Sequence, residues 1–308
     1  MVSQRLRLLG ALLAVAIPTI HLLRRITARR RKLTSAERVL VLGASSGVGH
    51  ALARQYARRG ARVCVVARRT DKINALAAEC GEGCIGVAAD LTVVEDMVRL
   101  RETLAREWGG LDTIHLCAGV SALQPVMALT GAEGKEDAAG KGIQDAVDIA
   151  GKAVQGNFVG PMVVAVTFIP MLTRTSTAPA ILLVSSMAAL VPAPTRALYA
   201  ATKASSLLLY QALAIEHRDI AFTFILPATI EGDFRASAVD SGPVREADPN
   251  KHGLKINYVA SQCIDAVDKG VRGSVMMPWI PYAFAHHLYY LWPSLIEHMA
   301  ARKYNFPA

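Results

Sequence analysis

The stretch "RVLVLGASSGVGHALARQYARRG", residues 38–60, decides the fold. It opens with a short apolar, β-rich run typical of a strand, and it closes with a segment of helical periodicity that ends at a glycine. The turn between them holds Gly43, Gly47 and Gly49. Glycines let the backbone turn tightly and approach a ligand, and they aim the N-terminus of the next helix at the pyrophosphate of a dinucleotide. A glycine-rich turn alone is a weak signal, but this turn stands between a first strand and a first helix.

The alternation of strand and helix continues along the chain. Segments with helical periodicity, "DKINALAAEC" and "VEDMVRLRETLAREWG", separate the next apolar runs. The further predicted strands are "ARVCVVARR" (61–69), "CIGVAAD" (84–90), "LDTIHLCAG" (111–119), "AILLVSS" (180–186), "AFTFILP" (221–227) and "GSVMMP" (273–278). Repeated strand and helix units predict an α/β fold with a doubly wound parallel sheet, the Rossmann fold, in a single domain.

The end of the second strand predicts the cofactor. Proteins that bind NAD usually carry an acidic residue there, which holds the ribose hydroxyls. In this chain the strand ends in Ala67, Arg68 and Arg69. A guanidinium pairs with a 2′-phosphate through charge-assisted hydrogen bonds. The sequence therefore favours NADP(H) over NAD, with solvated turn arginines as the alternative.

A tyrosine and a lysine stand four residues apart in "ALYAATKAS", residues 197–205. On a helix, Tyr199 and Lys203 share one face. A free tyrosine has a pKa of about 10, and a nearby ammonium lowers that pKa towards neutrality. Ser186, at the end of a predicted strand, offers a hydroxyl to a substrate carbonyl oxygen. Tyrosine and lysine at this spacing are usually a surface pair, but the serine and the glycine turn make an acid/base site the better interpretation.

From Arg38 to Met277 the chain resembles the short-chain dehydrogenase/reductase (SDR) family, in the family's motif order. The resemblance implies catalytic roles for Asn157, Ser186, Tyr199 and Lys203, with the asparagine supporting a water relay and the lysine also holding the nicotinamide ribose. It implies cofactor contacts from a larger set, in which Asp90 meets the adenine. The predicted cofactor-binding residues are Gly43, Ser45, Ser46, Gly47, Val48, Gly49, Arg68, Arg69, Asp90, Leu91, Ala118, Gly119, Tyr199, Lys203, Pro227 and Ile230.

Several positions depart from the family's pattern. "LCAG" stands in place of "NNAG", so Leu116 and Cys117 lack the side chains that brace the central strands. Leu42 replaces a usual threonine, and Gly232 stands where a threonine hydroxyl is usual. The segment Gly131–Gln144 is polar and is predicted to be an exposed loop.

The N-terminus predicts a membrane anchor. An apolar run from Leu8 to Leu23 is flanked by arginines, and the heavier positive charge follows it. Sixteen helical residues span roughly 24 Å, slightly less than the hydrocarbon core, and snorkelling arginines extend that reach. A cleaved signal peptide is the alternative. The charge bias predicts that the remaining chain faces the cytosol, with the endoplasmic reticulum as the default membrane.

The C-terminal segment is rich in aromatic side chains. Trp279, Tyr282, Tyr289, Tyr290 and Trp292 are of the kind enriched at membrane interfaces. Proline spacing makes one continuous transmembrane helix a poor interpretation. A surface that dips into lipid is one prediction, and a core or subunit interface is the alternative. The anchor and this segment together resemble the membrane-anchored branch of the family that is similar to 11-beta-hydroxysteroid dehydrogenase.

Composition limits the other function classes. The net charge of +9 in 308 residues is concentrated in the first 32 residues, unlike the distributed basic face of a nucleic-acid-binding protein. Five scattered cysteines indicate neither a disulfide framework nor a metal site. The predicted organisation is an anchor with its basic flank (1–32), a catalytic domain (33–277) and an aromatic-rich segment (278–308).

The sequence therefore predicts an NADP(H)-dependent oxidoreductase that interconverts a hydrophobic ketone and alcohol, more often as a reductase. The family resemblance implies a homodimer or homotetramer. The alternative is a catalytically silent NADP-binding scaffold or sensor at a membrane. A carrier of lipid or steroid without chemistry is a third hypothesis.

Overall fold

The computed structural model describes residues 36–134, 136–242, 244–245 and 248–306. The predicted anchor and its basic flank lie outside these residues. Within them, one helical stretch, Gly140–Thr175, is long and apolar enough to cross a membrane. Its most apolar window is 61% buried inside the protein, as in the core helix of a soluble domain, so it is weak evidence for membrane insertion.

The described residues form seven parallel strands in the order β3-β2-β1-β4-β5-β6-β7. This order confirms the predicted doubly wound sheet. The strands are β1 (Arg38–Leu42), β2 (Arg62–Ala67), β3 (Cys84–Ala88), β4 (Thr113–Leu116), β5 (Ala180–Val184), β6 (Ala221–Pro227) and β7 (Gly273–Met277). The order reverses between β1 and β4, and the crevice at such a point is where ligands bind in open α/β sheets.

Helices cover both faces of this sheet. The first six are α1 (Gly47–Arg58), α2 (Thr70–Cys80), α3 (Val94–Trp108), α4 (Val126–Leu129), α5 (Gly140–Val154) and α6 (Gly160–Thr175). The others are α7 (Ala197–Glu216), α8 (Pro249–His252), α9 (Ile256–Asp268), α10 (Trp279–Leu291) and α11 (Pro293–Lys303). A π-helical turn, Gln155–Val159, joins α5 to α6, and 3₁₀ turns occupy Met187–Ala189 and Phe234–Ser237.

Alternation along each strand divides the core into two layers. In β1, Leu40 and Leu42 face one layer, while Val39 and Val41 face the other. Helices α3, α6 and α7 pack on the first layer, and α1, α2 and α9 pack on the second. Because both faces are covered, the strands read as continuous apolar runs rather than alternating ones.

The predicted loop Gly131–Gln144 is wrong for its last five residues, because helix α5 begins at Gly140. The helix is supported along its exposed face by Lys141 with Asp145 and by Gln144 with Asp148, each pair four residues apart. Because the first turn of this helix contains two glycines, its composition is typical of a loop. Residues 130–139, apart from Lys135, are indeed turn or irregular backbone.

Candidate active site

The glycine turn after β1 lies directly against the end of β4. Gly43 has a φ of +84°, and a Cβ at this position would lie 2.5 Å from the Ala118 amide nitrogen. Only glycine accommodates both the backbone conformation and this approach. The turn and the Ala118–Gly119 segment therefore line one crevice, at the reversal point of the sheet.

Two exposed arginines lie beside the glycine turn and beside Asp90. Arg69 donates through Nη2 to the Ser45 hydroxyl oxygen at 2.7 Å and lies 3.4 Å from the Ser46 hydroxyl. Arg68 Nη1 lies 3.9 Å from a carboxylate oxygen of Asp90, whose other oxygen accepts from the Thr92 amide and hydroxyl. Both guanidinium groups thus stand beside predicted cofactor residues of the turn and of the β3 end.

Asn157 is buried in the π-helical turn, with 1% of its surface exposed. Its Oδ1 accepts from the Val120 amide at 2.8 Å, and its Nδ2 donates to the Val120 carbonyl at 2.9 Å. The same Nδ2 donates to the Thr202 hydroxyl at 3.0 Å. The side chain therefore ties the segment after β4 to the helix that carries Tyr199 and Lys203.

Lys203 is buried at the floor of the crevice. Its Nζ donates to the Val184 carbonyl oxygen at 3.1 Å. A Cβ on Gly119 would lie 3.1 Å from that Nζ and 2.9 Å from Asn157 Oδ1, so these three residues meet at one point. Burial lowers the pKa of Lys203 to about 8. The amine stays mostly protonated at neutral pH, yet a modest change in surroundings changes its charge.

The Cys117 thiol belongs to the same floor. Burial raises the pKa of this thiol to about 12, and the charge of Lys203 only partly opposes that change. Cys117 is therefore a neutral group beside the lysine amine. Cys117 occupies a position of the "LCAG" stretch where the family that the sequence resembles usually has an asparagine.

Tyr199 lies one helical turn before Lys203 and is 7% exposed. The Phe234 ring meets it at a centroid distance of 5.9 Å, edge to face. Ser186 follows β5 and caps the first 3₁₀ turn, since its Oγ accepts from the Ala188 amide at 3.1 Å. That bond uses an acceptor site, and the hydroxyl keeps its donor capacity.

The remaining predicted cofactor residues lie at the same edge of the sheet or next to it. Pro227 ends β6, and Ala228 after it donates to the Met277 carbonyl. Ile230 pairs with Leu254 as an isolated bridge. Leu91 is buried in the core layer under α3, and the start of α1 holds Gly47, Val48 and Gly49.

Three residues at the site were not identified from the sequence. Arg196 lies over the Tyr199 ring, with its Cζ 4.4 Å from the centroid. Thr202 accepts from Asn157, and Asp240 accepts from the amides of Leu123 and Gln124 at 2.6 and 2.8 Å. Of these three residues, only Arg196 could have been identified from the sequence, because it precedes Tyr199 by three residues and so falls on the same helical face.

A scan of family models gives one match at these residues. The model described as short chain dehydrogenase matches residues 37–241. The chain belongs to the short-chain dehydrogenase family. The description of this family names dehydrogenase chemistry, the interconversion of CH–OH and carbonyl groups.

Curated relatives agree with this family. The chain is 35% identical over 199 residues to "11-beta-hydroxysteroid dehydrogenase-like 4A" of Arabidopsis thaliana, covering 63% of this chain and 60% of that protein. It is 32% identical over 255 residues to "11-beta-hydroxysteroid dehydrogenase-like 2" of the same plant, covering 80% and 75%. The chain thus spans about 60% of the length of the first of these relatives.

Solved structures share the fold. A short-chain dehydrogenase from Streptomyces avermitilis superposes with a TM-score of 0.67 at 21% identity, covering 87% of this chain and 97% of that one. An alcohol dehydrogenase from Thermococcus sibiricus, complexed with 5-hydroxy-NADP, gives 0.64 at 22% identity, covering 79% and 96%. A 3-ketoacyl-(acyl-carrier-protein) reductase from Brucella melitensis, complexed with NADH, gives 0.65 at 21%, covering 78% and 96%.

Proposed function

We propose that this chain is an NADP(H)-dependent oxidoreductase that interconverts a hydrophobic ketone and alcohol and works as a reductase. The observation that carries the proposal is the meeting of Gly119, Asn157 and Lys203 at the floor of the crevice, with Tyr199 one turn away. Three chemically distinct groups converge where an open α/β sheet binds its ligand. Asn157, Ser186, Tyr199 and Lys203 are proposed as the catalytic set.

The residues present fit a dinucleotide. A side chain at Gly43 would collide with the Ala118 backbone, and one at Gly119 would collide with Asn157 and Lys203, so glycine at both positions lets the walls of the crevice pack closely. The first turn of α1 offers its unpaired amides to phosphate. When bound, NADP(H) supplies or accepts the hydride. Arg68 and Arg69, beside Ser45 and Ser46, would hold the 2′-phosphate, which favours NADP(H) over NAD.

Side chains of this protein would transfer the proton and bind the substrate oxygen. Tyr199 would donate its phenolic proton to the substrate oxygen during reduction, and would take that proton back during oxidation. Ser186 would donate a hydrogen bond to the same oxygen and stabilise its developing charge. The Lys203 ammonium favours the phenolate of Tyr199. Asn157, fixed by three hydrogen bonds, would order water behind the lysine.

Reduction is the proposed direction because cellular NADPH pools are kept reduced. A hydrophobic substrate is favoured by apolar groups exposed at the C-terminal end: Ile280 at 67%, Leu291 at 70% and Trp292 at 59%. We propose that this end contacts lipid and that the chain works at a membrane, by default the endoplasmic reticulum, with the catalytic domain facing the cytosol. The word "hydroxysteroid" in the relatives' names agrees with an apolar substrate.

A homodimer is proposed from a second exposed apolar surface. Val166 on α6 is 73% exposed, and Leu208 and Ile215 on α7 are 68% and 69% exposed. The two helices lie side by side. Helix α7 carries Tyr199 and Lys203, and Asn157 lies in the turn just before α6, so a second copy would bury this surface and stiffen the site. Light scattering of Val166→Asp in detergent should report loss of the larger species.

The deciding experiment is a panel of lipid and steroid ketones mixed with the full-length chain and NADPH, followed by loss of nicotinamide absorbance. NADH runs in parallel. Tyr199→Phe is the matched variant, since it removes one hydroxyl and keeps the ring. The proposal expects turnover with NADPH that Tyr199→Phe abolishes without loss of cofactor binding. Cofactor binding with no turnover on any ketone would favour the silent scaffold, and equal rates with NADH would contradict the NADP(H) preference.

A further inference from the structure

Arg196 stands immediately before the helix that carries Tyr199 and Lys203. Its guanidinium carbon lies 4.4 Å from the centroid of the Tyr199 ring, and the residue is 8% exposed. A cation within about 6 Å of an aromatic centroid is attracted to the ring face, more strongly when water is excluded. The ring covered in this way is the one to which proton transfer is assigned above.

Helix stability does not explain an arginine at this place. Arg196 is the N-cap of α7, its side chain makes no capping hydrogen bond, and no acidic residue occupies the first turn. Small polar residues are preferred at an N-cap, and the positive end of the helix dipole disfavours a cation there. Burial of the charge adds a desolvation cost. The guanidinium nevertheless packs on the Tyr199 ring, so this contact is part of the native arrangement of the helix start.

The spacing places a positive charge on each side of the phenol along the helix. Arg196, Tyr199 and Lys203 follow one another at intervals of three and four residues, so they share one face. Lys203 is fixed to the end of β5 by its bond to the Val184 carbonyl. Both cations favour the ionised form of the phenol over the neutral form.

Two further segments near Tyr199 carry titratable groups. Phe234 touches the ring from the second 3₁₀ turn, and it is flanked in sequence by the exposed Asp233 and by Arg235. From the end of β4, the Cys117 thiol faces Lys203 and stays neutral, since burial raises its pKa to about 12.

We propose that Arg196 is a positioning residue that clamps the Tyr199 ring from its face and stabilises the phenolate left when the phenol gives its proton to the substrate oxygen. The proposal rests on the proposed function of Tyr199. Arg196 itself forms and breaks no covalent bond and exchanges no proton. Its effect is to hold the hydroxyl in place and to set the pH at which it ionises.

The test needs no substrate. Phenolate absorbance is titrated against pH in the full-length chain, and the same titration in Tyr199→Phe is subtracted to isolate Tyr199. The variants are Arg196→Met, which keeps length and removes charge, and Arg196→Lys, which keeps charge. Arg174→Met, an exposed arginine at the end of α6, is the matched control. Circular dichroism verifies that each variant is folded, and Arg196→Gln replaces Arg196→Met if the latter is not.

The expected result is a rise of roughly one pH unit in the Tyr199 midpoint for Arg196→Met, with most of the shift restored by Arg196→Lys and none in the control. An unshifted midpoint in folded Arg196→Met would overturn the proposal, as would an equal shift in the control. Turnover reports separately on the proposed function. If Tyr199→Phe leaves turnover intact, the proposed function fails while the titration still decides what Arg196 does to the ring.

Discussion

Lys203 donates a hydrogen bond from Nζ to the main-chain carbonyl oxygen of Val184 at 3.1 Å. Val184 is the last residue of β5, and Ser186 follows two residues later. The bond therefore joins the helix that carries Tyr199 to the strand that delivers the serine. It also leaves the lysine amine beside the backbone of Gly119, on the floor of the crevice.

The first prediction concerns the charge of Lys203. Burial lowers the pKa of this amine from 10.5 to about 8, so the charge that favours the Tyr199 phenolate is lost as the pH rises through about 8. Turnover should fall over that range. The stability of the fold should change in the opposite sense. Between pH 8 and 10.5 the unfolded chain still binds the proton that the folded chain has released, so the free energy of unfolding rises with pH.

Lys203→Met separates these two effects. The variant should lose turnover by a factor of about 10² or more and should lose this part of the stability gain, because it has no amine to titrate. Urea unfolding at a series of pH values, with stopped-flow turnover on the same samples, makes the measurement. Turnover that stays constant from pH 7 to 10 would contradict the role of the ammonium.

The second prediction concerns Asn157. Replacement with alanine removes three hydrogen bonds and leaves the Val120 amide and carbonyl without their partner. Each buried polar group that loses its partner costs about 1–3 kcal/mol, so the free energy of unfolding should fall by at least that much. Chemical denaturation measures it. Gln144→Ala, an exposed side chain on α5, is the control and should change stability by less than about 0.5 kcal/mol. An equal small effect from both variants would contradict the bracing role.

The sheet could be predicted from the sequence, because it depends on local periodicity. The catalytic and cofactor roles of the site residues stay predictions that rest on motifs, and the structure shows that Gly119, Asn157 and Lys203 lie together. Gly43 and Gly119 were singled out because they match sequence motifs. The structure gives the physical reason for glycine at both positions, since any side chain there would collide with residues across the crevice. Asp240 was missed because its partner Leu123 lies more than a hundred residues away. Arg196 was missed although it lies only three residues from Tyr199, because spacing alone does not show that its side chain covers the ring. The first five residues of helix α5 were predicted as loop, because the glycines in that stretch are typical of loops and were given more weight than its apolar periodicity.

The third prediction concerns cofactor choice. Arg69→Ala should weaken NADPH binding by about 10- to 100-fold, because a hydrogen bond to a charged group contributes about 1.5–3 kcal/mol, and should leave NADH binding unchanged. Isothermal titration with each cofactor makes the comparison. Arg58→Ala, an exposed arginine at the end of α1, is the control. An equal loss for both cofactors would show that Arg69 serves to shape the turn through Ser45 rather than to bind the 2′-phosphate.

The fourth prediction concerns the ion pair of the buried Asp112 with the half-buried Arg38. The carboxylate accepts from Arg38 Nε and Nη2, each at 2.9 Å. Burial opposes ionisation, but the bonds from Arg38 and Ser176 outweigh it and hold the pKa of Asp112 below its ordinary value. Asp112→Ala should cost about 1–3 kcal/mol, because the half-buried Arg38 loses its charged acceptor and keeps only its bonds to the Trp108 and Thr175 carbonyls.

The sign of the pH effect follows from the lowered pKa. The Asp112 contribution is present above the unfolded pKa of about 4 and is lost as the pH falls through the folded value. We expect the free energy of unfolding, measured by urea denaturation at a series of acidic pH values, to depend less on pH in Asp112→Asn than in the wild type. The exposed pair of Arg106 with Glu107 is the comparison, and Glu107→Gln should change little. An unchanged dependence on acidic pH in Asp112→Asn would contradict the assignment.

The last prediction tests lipid contact at the C-terminal end. Trp292 is 59% exposed beside Leu291, whereas Trp279 packs against the core and Trp108 ends α3 on the sheet's flank. The full-length chain is reconstituted into vesicles whose acyl chains carry bromine, which quenches tryptophan fluorescence on contact. Quenching should be present in the wild type and largely lost in Trp292→Phe, because an exposed interfacial tryptophan rests at the acyl boundary. The control is Trp108→Phe, which lies away from this end and should leave the quenched fraction as large as in the wild type. If quenching in Trp292→Phe were also as large as in the wild type, this surface would contact a protein partner or water instead of lipid.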